Sequence, residues 1–184
     1  FNSNGKPVSP ELLEDMRRVM AHRGADGINC YSDGPVGFVH FMLYDTPESL
    51  FEILPGKSKC GRYIITFHGR IDNRTNLHRE TFCKCPLAEI TDSQLVLAAY
   101  ERWKDQCAGK LEGDFSFAIW DSELHSLYCA RDRFGVKPFY FYENEDAFFF
   151  ATEIKALPCG SRSEAQVNET RIFDYLTVGV IDTD

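Results

Sequence analysis

Four short apolar segments follow one another in the second half of the chain and organise the predicted fold. They are Phe115–Trp120, Leu127–Ala130, Phe139–Tyr142 and Ala147–Thr152. Short polar turns join the first two segments and the last two, and turns of that length require antiparallel neighbours. Aromatic residues fall on both faces of these strands. We therefore expect a sheet that is covered by other elements on both sides.

Apolar residues at helical spacing predict helices that this sheet needs as cover. Ser9 is a candidate N-cap before Pro10, and Gly24 is expected to end the first helix. A second helix follows Thr91-Asp92-Ser93, where an aspartate directly before an apolar helical run is explained as an N-cap. A third helix is expected to begin at Asn168.

The remaining segments are less regular. Val36–Tyr44 and Tyr63–Phe67 are predicted as strands, and Phe1–Val8 as the end of a strand followed by a turn at Asn4-Gly5. Residues 78–90 are typical of an irregular loop or a frayed helix. The pattern as a whole indicates antiparallel strands with flanking helices.

Length and charge narrow the classes of protein. A chain of 184 residues is expected to form one domain with a sizeable core. The net charge of −8 argues against nucleic acid as a partner, because phosphate binding needs clustered Lys and Arg. No apolar run has the length of a membrane span, and no signal segment opens the chain. We expect a cytoplasmic protein without membrane contact.

The cysteines indicate thiols rather than a disulfide framework or a metal site. Seven cysteines form an odd set without secretory context, which fits a reducing compartment. Cys83 and Cys85 are two positions apart, but zinc pairs are usually three apart and need two further ligands. His78 is the nearest histidine, so we expect no metal site.

Three segments around the organising strands resemble a known family. They read LEGDFSFAIWD from Leu111, CARDRFGVKPFYF from Cys129 and FFFATEIKAL from Phe148. These segments resemble the second half of a class II glutamine amidotransferase domain, the N-terminal domain of asparagine synthetase and its relatives. The resemblance extends from Met16 to Gly179. It implies an α+β fold, a four-layer αββα sandwich of the Ntn-hydrolase type with mainly antiparallel sheets.

The resemblance also implies a domain plan and a statement about catalysis. Residues 1–160 correspond to the amidotransferase-like domain with its first strand missing or not recorded, and 161–184 to a linker and helix leading to an absent ATP-dependent synthetase domain. The family's nucleophile is an N-terminal cysteine that opens the first strand. Phe1 aligns with the end of that strand, so the resemblance assigns no catalytic residue to this chain.

Four residues correspond to the family's glutamine pocket. Alignment on Gly37, His40 and Leu43 places Met42 where the family has the arginine that binds the substrate carboxylate, a role that a thioether cannot fill. His68 and Gly69 stand where the family's Asn-Gly forms the oxyanion hole. His68 is either a neutral imidazole donor or a tolerated occupant of a disused pocket. The resulting set of substrate-binding positions is His68, Gly69, Asp92 and Met42.

Two further motifs have family counterparts outside this pocket. His22-Arg23-Gly24 resembles the family's H-R-G-P-D after the first helix, although a cationic helix end closed by glycine is common in general. Arg131 and Asp132 belong to the A-R-D motif and are expected to shape an interface between domains. The alternative for Arg131 and Asp132 is a local ion pair that closes a strand end.

The sequence leaves three functions open. The first is a scaffold and docking domain of an ATP-dependent amide-forming ligase without glutaminase activity; the segments DTPESLFEILP and HGRIDNRTNL resemble asparagine-synthase-related proteins such as lasso-peptide cyclases. The second is an active glutaminase domain of asparagine synthetase. The third is a module that binds a substrate or peptide in the former glutamine pocket.

The expected cofactors and partners follow from the same resemblance. No cofactor is expected in this domain, whereas ATP and magnesium are implied for the synthetase domain. The C-terminal synthetase domain is the expected partner, with glutamine or a peptide as possible ligand. The many aromatic residues leave a homodimer face open as an alternative to core packing.

Overall fold

The computed structural model describes residues 1–81, 86–157 and 167–179. Its helices are α1 (Pro10–Met20), α2 (Arg74–Glu80), α3 (Asp92–Trp103) and α4 (Glu169–Val178). Its strands are β1 (Gly27–Asp33), β2 (Val36–Met42), β3 (Gly56–Lys57), β4 (Tyr63–Ile71), β5 (Gly113–Asp121), β6 (Ser126–Arg131), β7 (Tyr140–Glu143) and β8 (Phe148–Ala151). None of the described helices is long and apolar enough to cross a membrane.

The central sheet has the order β3-β4-β5-β6, and its neighbouring strands are antiparallel. Strand β5 is buried from Phe115 to Asp121, because both faces of the sheet are covered. Side chains of one face, such as Phe67 and Phe117, pack with the apolar side of α3. The other face carries Ile64 and Trp120 into a second core. The prediction of cover on both sides is confirmed for β5. The four predicted strands do not form one sheet, because β5 and β6 belong to the central sheet and β7 and β8 form a separate pair.

Strands β1-β2 and β7-β8 form two antiparallel pairs in the layer beside this second core. Phe38 of β2 points inward, and its ring lies 5.9 Å from that of Phe150 in β8. The opposite face of β2 is in contact with α1, since a Cβ on Gly37 would lie 2.9 Å from a methyl group of Leu13. The layers are therefore α3, central sheet, outer strands and α1, which confirms the α+β sandwich.

The first two residues lie between β2 and β8. Phe1 and Phe148 exchange backbone hydrogen bonds, at 2.9 Å from the Phe1 nitrogen and 2.8 Å to the Phe1 carbonyl. The Asn2 nitrogen donates to the carbonyl oxygen of Pro35 at 2.7 Å, directly before β2. Residues of both β2 and β8 also line a cavity.

Most predicted elements are present, with shifted ends. Helix α1 begins after the Ser9 cap and ends at Met20, followed by a 3₁₀ turn to Arg23. Helix α4 follows Asn168 as predicted, and β4 continues beyond Phe67 to Ile71.

The sequence analysis missed β1, α2 and the two-residue strand β3, of which the first two are mostly solvent-facing. Strand β1 has no buried residue, and the short helix α2 buries only Leu77, so neither shows a clear apolar period. The prediction for residues 78–90 falls partly outside the described residues, as do Cys83, Cys85, Cys159 and the proposed linker at 161–166.

The assignment of Asp92 as an N-cap is wrong. Thr91 is the N-cap of α3, and it forms a capping box with Gln94. Asp92 is the first residue of the helix, and its side chain points away from the helix terminus toward β4 and α2. A threonine with a glutamine three positions later is itself a capping-box pattern, and it satisfies the terminal N–H groups without the aspartate.

Candidate functional site

A cavity of about 200 Å³ lies between the central sheet and the layer of β2 and β8. Apolar side chains, including Met20, Phe38 and Leu54, form much of its wall. Polar groups reach the cavity from three directions: His40 from β2, Thr66 and His68 from β4, and Asp92 from the start of α3. A largely apolar cavity with a few converging polar groups is the usual form of a small-molecule site.

The structure brings all four predicted pocket residues to this cavity. Met42, His68, Gly69 and Asp92 line it. Met42 is only 4% exposed and packs with Leu54 in the main core, so that part of the wall is apolar. Gly69 has a φ of +142°, and a side chain there would collide with the backbone of Asp114 on the neighbouring strand.

Two uncharged histidines line the cavity. The Nδ1 atom of His40 lies 3.0 Å from the Thr66 hydroxyl. Alternation along β4 places Thr66 and His68 on the same face of the sheet. Burial lowers the pKa of His40 to about 4, and the nearby His68 acts in the same direction. Burial and the Lys137 ammonium lower the pKa of His68 to about 4, so both rings are neutral at pH 7.

Asp92 is already bound by groups of this chain. One carboxylate oxygen accepts a hydrogen bond from the Ile71 N–H at 2.9 Å, and the other contacts the guanidinium of Arg74. Arg74 also donates to the carbonyl oxygens of Ile90 at 2.6 Å and Leu87 at 3.3 Å. Burial raises the pKa of Asp92, whereas the Ile71 N–H and Arg74 favour its charged form. This ion pair is a buried, multiply bonded unit.

Glu52 is a second buried acid at the same end of the cavity, and the sequence analysis missed it. Its carboxylate accepts from the Ser93 N–H at 2.9 Å and from the Ser93 hydroxyl at 2.5 Å, at the N-terminus of α3. Burial raises the pKa of Glu52. The available signal in the sequence was an acidic residue between Phe51 and Ile53 in an otherwise apolar segment.

The H-R-G turn lies at another part of the cavity wall. Arg23 lines the cavity and forms an ion pair with Glu153, which also accepts from His22 at 3.0 Å and Lys155 at 3.0 Å. Hydrogen bonds from Arg23 and Lys155 lower the pKa of Glu153 to about 2. The Arg23 guanidinium is thus already paired with a carboxylate of the same chain.

Arg131 and Asp132 do not line this cavity. The Asp132 carboxylate accepts hydrogen bonds from the N–H groups of Phe134, Val136 and Lys137 at 3.0 to 3.1 Å. Burial acts to raise the pKa of Asp132, but these N–H groups hold it below its ordinary value. The local ion pair offered for Arg131 and Asp132 is wrong, since the aspartate binds loop backbone.

Across residues 1–81, 86–157 and 167–179, no group of three or more His, Cys, Asp or Glu side chains is placed to hold a metal ion. This search included His78 and the described cysteines, which are Cys30, Cys60, Cys107 and Cys129. Cys83 and Cys85 lie outside them.

The sequence of this chain matches the glutamine amidotransferase domain family over residues 2–184. The chain belongs to the class II glutamine amidotransferase domains of the asparagine synthetase family. Asparagine synthetase [glutamine-hydrolyzing] 3 of Bacillus subtilis is 30% identical over 176 residues, which are 92% of this chain and 28% of that protein. Asparagine synthetase [glutamine-hydrolyzing] 1 of the same organism is 31% identical over 172 residues, or 91% of this chain and 26% of that protein.

A relative of lower identity also matches nearly all of this chain over only part of its own length. The putative asparagine synthetase [glutamine-hydrolyzing] 2 of Methanocaldococcus jannaschii is 27% identical over 197 residues, covering 96% of this chain and 38% of that protein. The chain thus spans about a quarter to two-fifths of the length of these relatives.

Proposed function

We propose that this chain is the amidotransferase-like domain of an asparagine-synthetase-related, ATP-dependent amide-forming ligase, and that it does not hydrolyse glutamine. The observation that carries the proposal is the ion pair between Asp92 and Arg74. Asp92 corresponds to the family residue that binds glutamine, and here both of its oxygens already have partners within the chain. A substrate ammonium would have to compete with a buried guanidinium for the same carboxylate.

The opposite anchor is missing as well. Met42 stands at the position of the family's carboxylate-binding arginine, and it is buried among apolar side chains. Among the described residues, Arg23 is the only Lys or Arg that lines the cavity, and it is paired with Glu153. The carboxylate of a free amino acid would therefore have to share Arg23 with Glu153 or reach Lys137, which acts on His68 but does not line the cavity. An incompletely paired carboxylate is costly in a largely apolar site.

A docking role is supported by the loop that follows β6. Asp132 holds this loop by three backbone hydrogen bonds, and the loop presents Phe134 with 89% of its surface exposed. An exposed aromatic on an ordered loop is a usual anchor of an interface. We propose that the loop binds the synthetase region, where ATP and magnesium would act.

The segments around Glu48 and Asp72 support placement among the ligases that do not use glutamine. The motifs TPES and RIDNR resemble those of asparagine-synthase-related proteins such as lasso-peptide cyclases. Arg74 is the last residue of the second motif. The same arginine neutralises Asp92. We therefore propose an acceptor that supplies its own amine.

The test is glutamine hydrolysis by the full-length protein and by a variant with Cys-Gly at the start of the first strand. We expect no glutamate above the enzyme-free control from either protein, in a coupled glutamate dehydrogenase assay. The natural glutaminase domain of a relative is the positive control. Substantial turnover by the Cys-Gly variant with Met42 and Arg74 intact would overturn the proposal.

An active glutaminase is the second candidate, because the similar proteins of Bacillus subtilis are named as glutamine-hydrolysing. It requires a processed N-terminal cysteine in the full-length protein. Intact mass and N-terminal sequencing of protein from its natural source decide this point. Cysteine at that terminus together with glutamate release would establish the second candidate.

A further inference from the structure

We infer that residues 43–53, at the rim of the cavity, are a docking surface for a polypeptide segment that combines apolar residues with lysine or arginine. Residues 43–53 are called the rim segment below. The apolar part of this surface lies outside the cavity, so its occupancy goes beyond the proposed function and does not depend on glutamine chemistry. Three observations carry the inference: exposed apolar side chains, their attachment to the domain from beneath, and the charge around them.

The rim segment exposes a group of large apolar side chains. Ile53 is 80% exposed and Phe51 is 67% exposed, and Leu50, Leu43 and Tyr44 are exposed as well. Leu50, Phe51 and Ile53 do not line the cavity, so they face solvent outside it. Single exposed apolar side chains are ordinary, whereas a group of them marks an interaction site.

The rim segment is held in place from within the domain. Glu52 is buried between the exposed Phe51 and Ile53, so neighbouring side chains point inward and outward in turn. The Glu52 carboxylate accepts hydrogen bonds from the N–H and the hydroxyl of Ser93 at the start of α3. An apolar surface that is fixed in this way loses little conformational entropy when a partner binds.

The charge of the rim segment indicates the chemistry of the partner. The segment contains Asp45, Glu48 and Glu52 but no Lys or Arg. Glu48 lies 3.9 Å from Arg74, whose guanidinium is already bound by Asp92. Acidic groups beside exposed apolar side chains favour a partner that is both apolar and basic.

Lys137 does not cancel this acidic character. Its ammonium lowers the pKa of His68, whereas the Asp45 carboxylate acts on the same ring in the opposite direction. Asp45 lines the cavity and Lys137 does not. Asp45 also takes part in no ion pair with another described residue, so it can pair with a lysine or arginine of the partner.

A second copy of this chain fits the surface poorly. A two-fold contact places the same patch of both copies face to face, which would bring Asp45 and Glu48 against the same acids of the other copy. Each chain also has a net charge of −8, which opposes self-association. A basic polypeptide meets neither obstacle.

The test is peptide binding by the full-length protein, measured by fluorescence anisotropy. The probe is a fluorescein-labelled octapeptide of alternating leucine and lysine. Two matched octapeptides have glutamate in place of lysine, or serine in place of leucine. We expect saturable binding of the leucine-lysine peptide that weakens as salt is added, and at least tenfold weaker binding of each matched peptide.

Variants locate the binding surface. Phe51→Ser and Ile53→Ser should each weaken binding of the leucine-lysine peptide at least fivefold, while Leu124→Ser, at another exposed apolar side chain, should keep the wild-type affinity. Asp45→Asn should weaken binding several-fold and reduce its salt dependence. Glu145→Gln, at the exposed turn between β7 and β8, is its control and should change neither. If one of the two apolar variants does not fold, the other decides the matter.

Several outcomes would overturn the inference. They are equal affinity for the three peptides, equal affinity of Phe51→Ser and Leu124→Ser, or no binding by the full-length protein. Sedimentation velocity adds another: a wild-type dimer that Phe51→Ser converts to a monomer would make a second copy the occupant. All of these outcomes leave the absence of glutamine hydrolysis standing, whereas glutamate release would overturn the proposed function alone.

Discussion

At the scale of single residues, the site depends on pairs that are distant in the sequence. Asp92 and Arg74 are 18 positions apart, and the short helix α2 carries the guanidinium to the start of α3. The buried pair is sustained by the hydrogen bonds that both side chains make to backbone groups. Removing one member would leave an uncompensated charge in a poorly solvated place.

Replacing Arg74 with methionine should therefore destabilise the domain by about 3 to 5 kcal/mol, the usual cost of leaving a buried charge without its partner. The measurement is the free energy of unfolding in urea. Arg70→Met is the matched control, because Arg70 forms an exposed pair with Asp72 and its loss should change little. Equal effects of the two substitutions would show that the Arg74 pair is not structural.

The two half-buried histidines of the cavity should make stability fall on mild acidification. Their pKa values are about 4 in the folded protein and 6.5 ordinarily, so the unfolded chain binds more protons between these values. Stability is therefore complete above about pH 6.5 and decreases toward pH 4, with a slope of up to about 1.4 kcal/mol per pH unit for each histidine.

The check is the urea midpoint as a function of pH for the wild type and for His40→Gln and His68→Gln. Each variant should depend less on pH between 4 and 6.5, because it lacks one protonation step on unfolding. Unchanged slopes in His40→Gln and His68→Gln would contradict the assignment.

At the scale of elements, the approach of β4 and β5 determines where the cavity wall stands. Gly69 and Gly113 both have positive φ near +140°, and each would place a side chain against the backbone of the facing strand. Gly69 pairs with Phe115 in the antiparallel pairing of β4 with β5, and both Gly69 and its neighbour His68 line the cavity. The two glycines permit an inter-strand distance that any larger residue would increase.

Gly69→Ala should cost at least about 2 kcal/mol, because it adds backbone strain to a collision with Asp114. Thermal or urea unfolding measures this loss. Gly109→Ala is the matched control, since nothing lies within 4 Å of the added carbon. A neutral Gly69→Ala would mean that β4 and β5 can separate without cost.

At the scale of the whole molecule, exposed apolar residues support the proposed docking role of the loop after β6. Phe134 is 89% exposed on the ordered loop after β6, and the described residues of α4 include several exposed apolar side chains. Exposed apolar surface of this kind marks an interaction site in soluble proteins.

If the loop after β6 binds a synthetase region as proposed, Phe134→Ser should weaken that association while leaving the domain's own stability unchanged. Limited proteolysis should then cut between the regions several-fold faster. Leu124→Ser is the control, because Leu124 is 69% exposed at the turn between β5 and β6. An equal cleavage rate for wild type and Phe134→Ser would place the interface elsewhere.

The sequence predicted elements that carry a strong apolar period. The helices α1 and α3 were visible because their apolar residues repeat at helical spacing, and β5 and β6 because each is a short apolar run next to a polar turn. Strand β1 and helix α2 were missed for the converse reason, since they expose most of their residues. The family motifs then supplied the architecture, which apolar periodicity alone does not specify.

For the site, the sequence determined which residue types were available: a methionine at position 42, His68 before Gly69, and Asp92 at a helix start. Only the tertiary structure decided what each of them contacts. Arg74 reaches Asp92, Ser93 binds Glu52, and the Nδ1 atom of His68 is enclosed while the ring faces the cavity. Charge pairing and burial depend on distances between segments far apart in the chain, and those distances exist only after the sheets have packed.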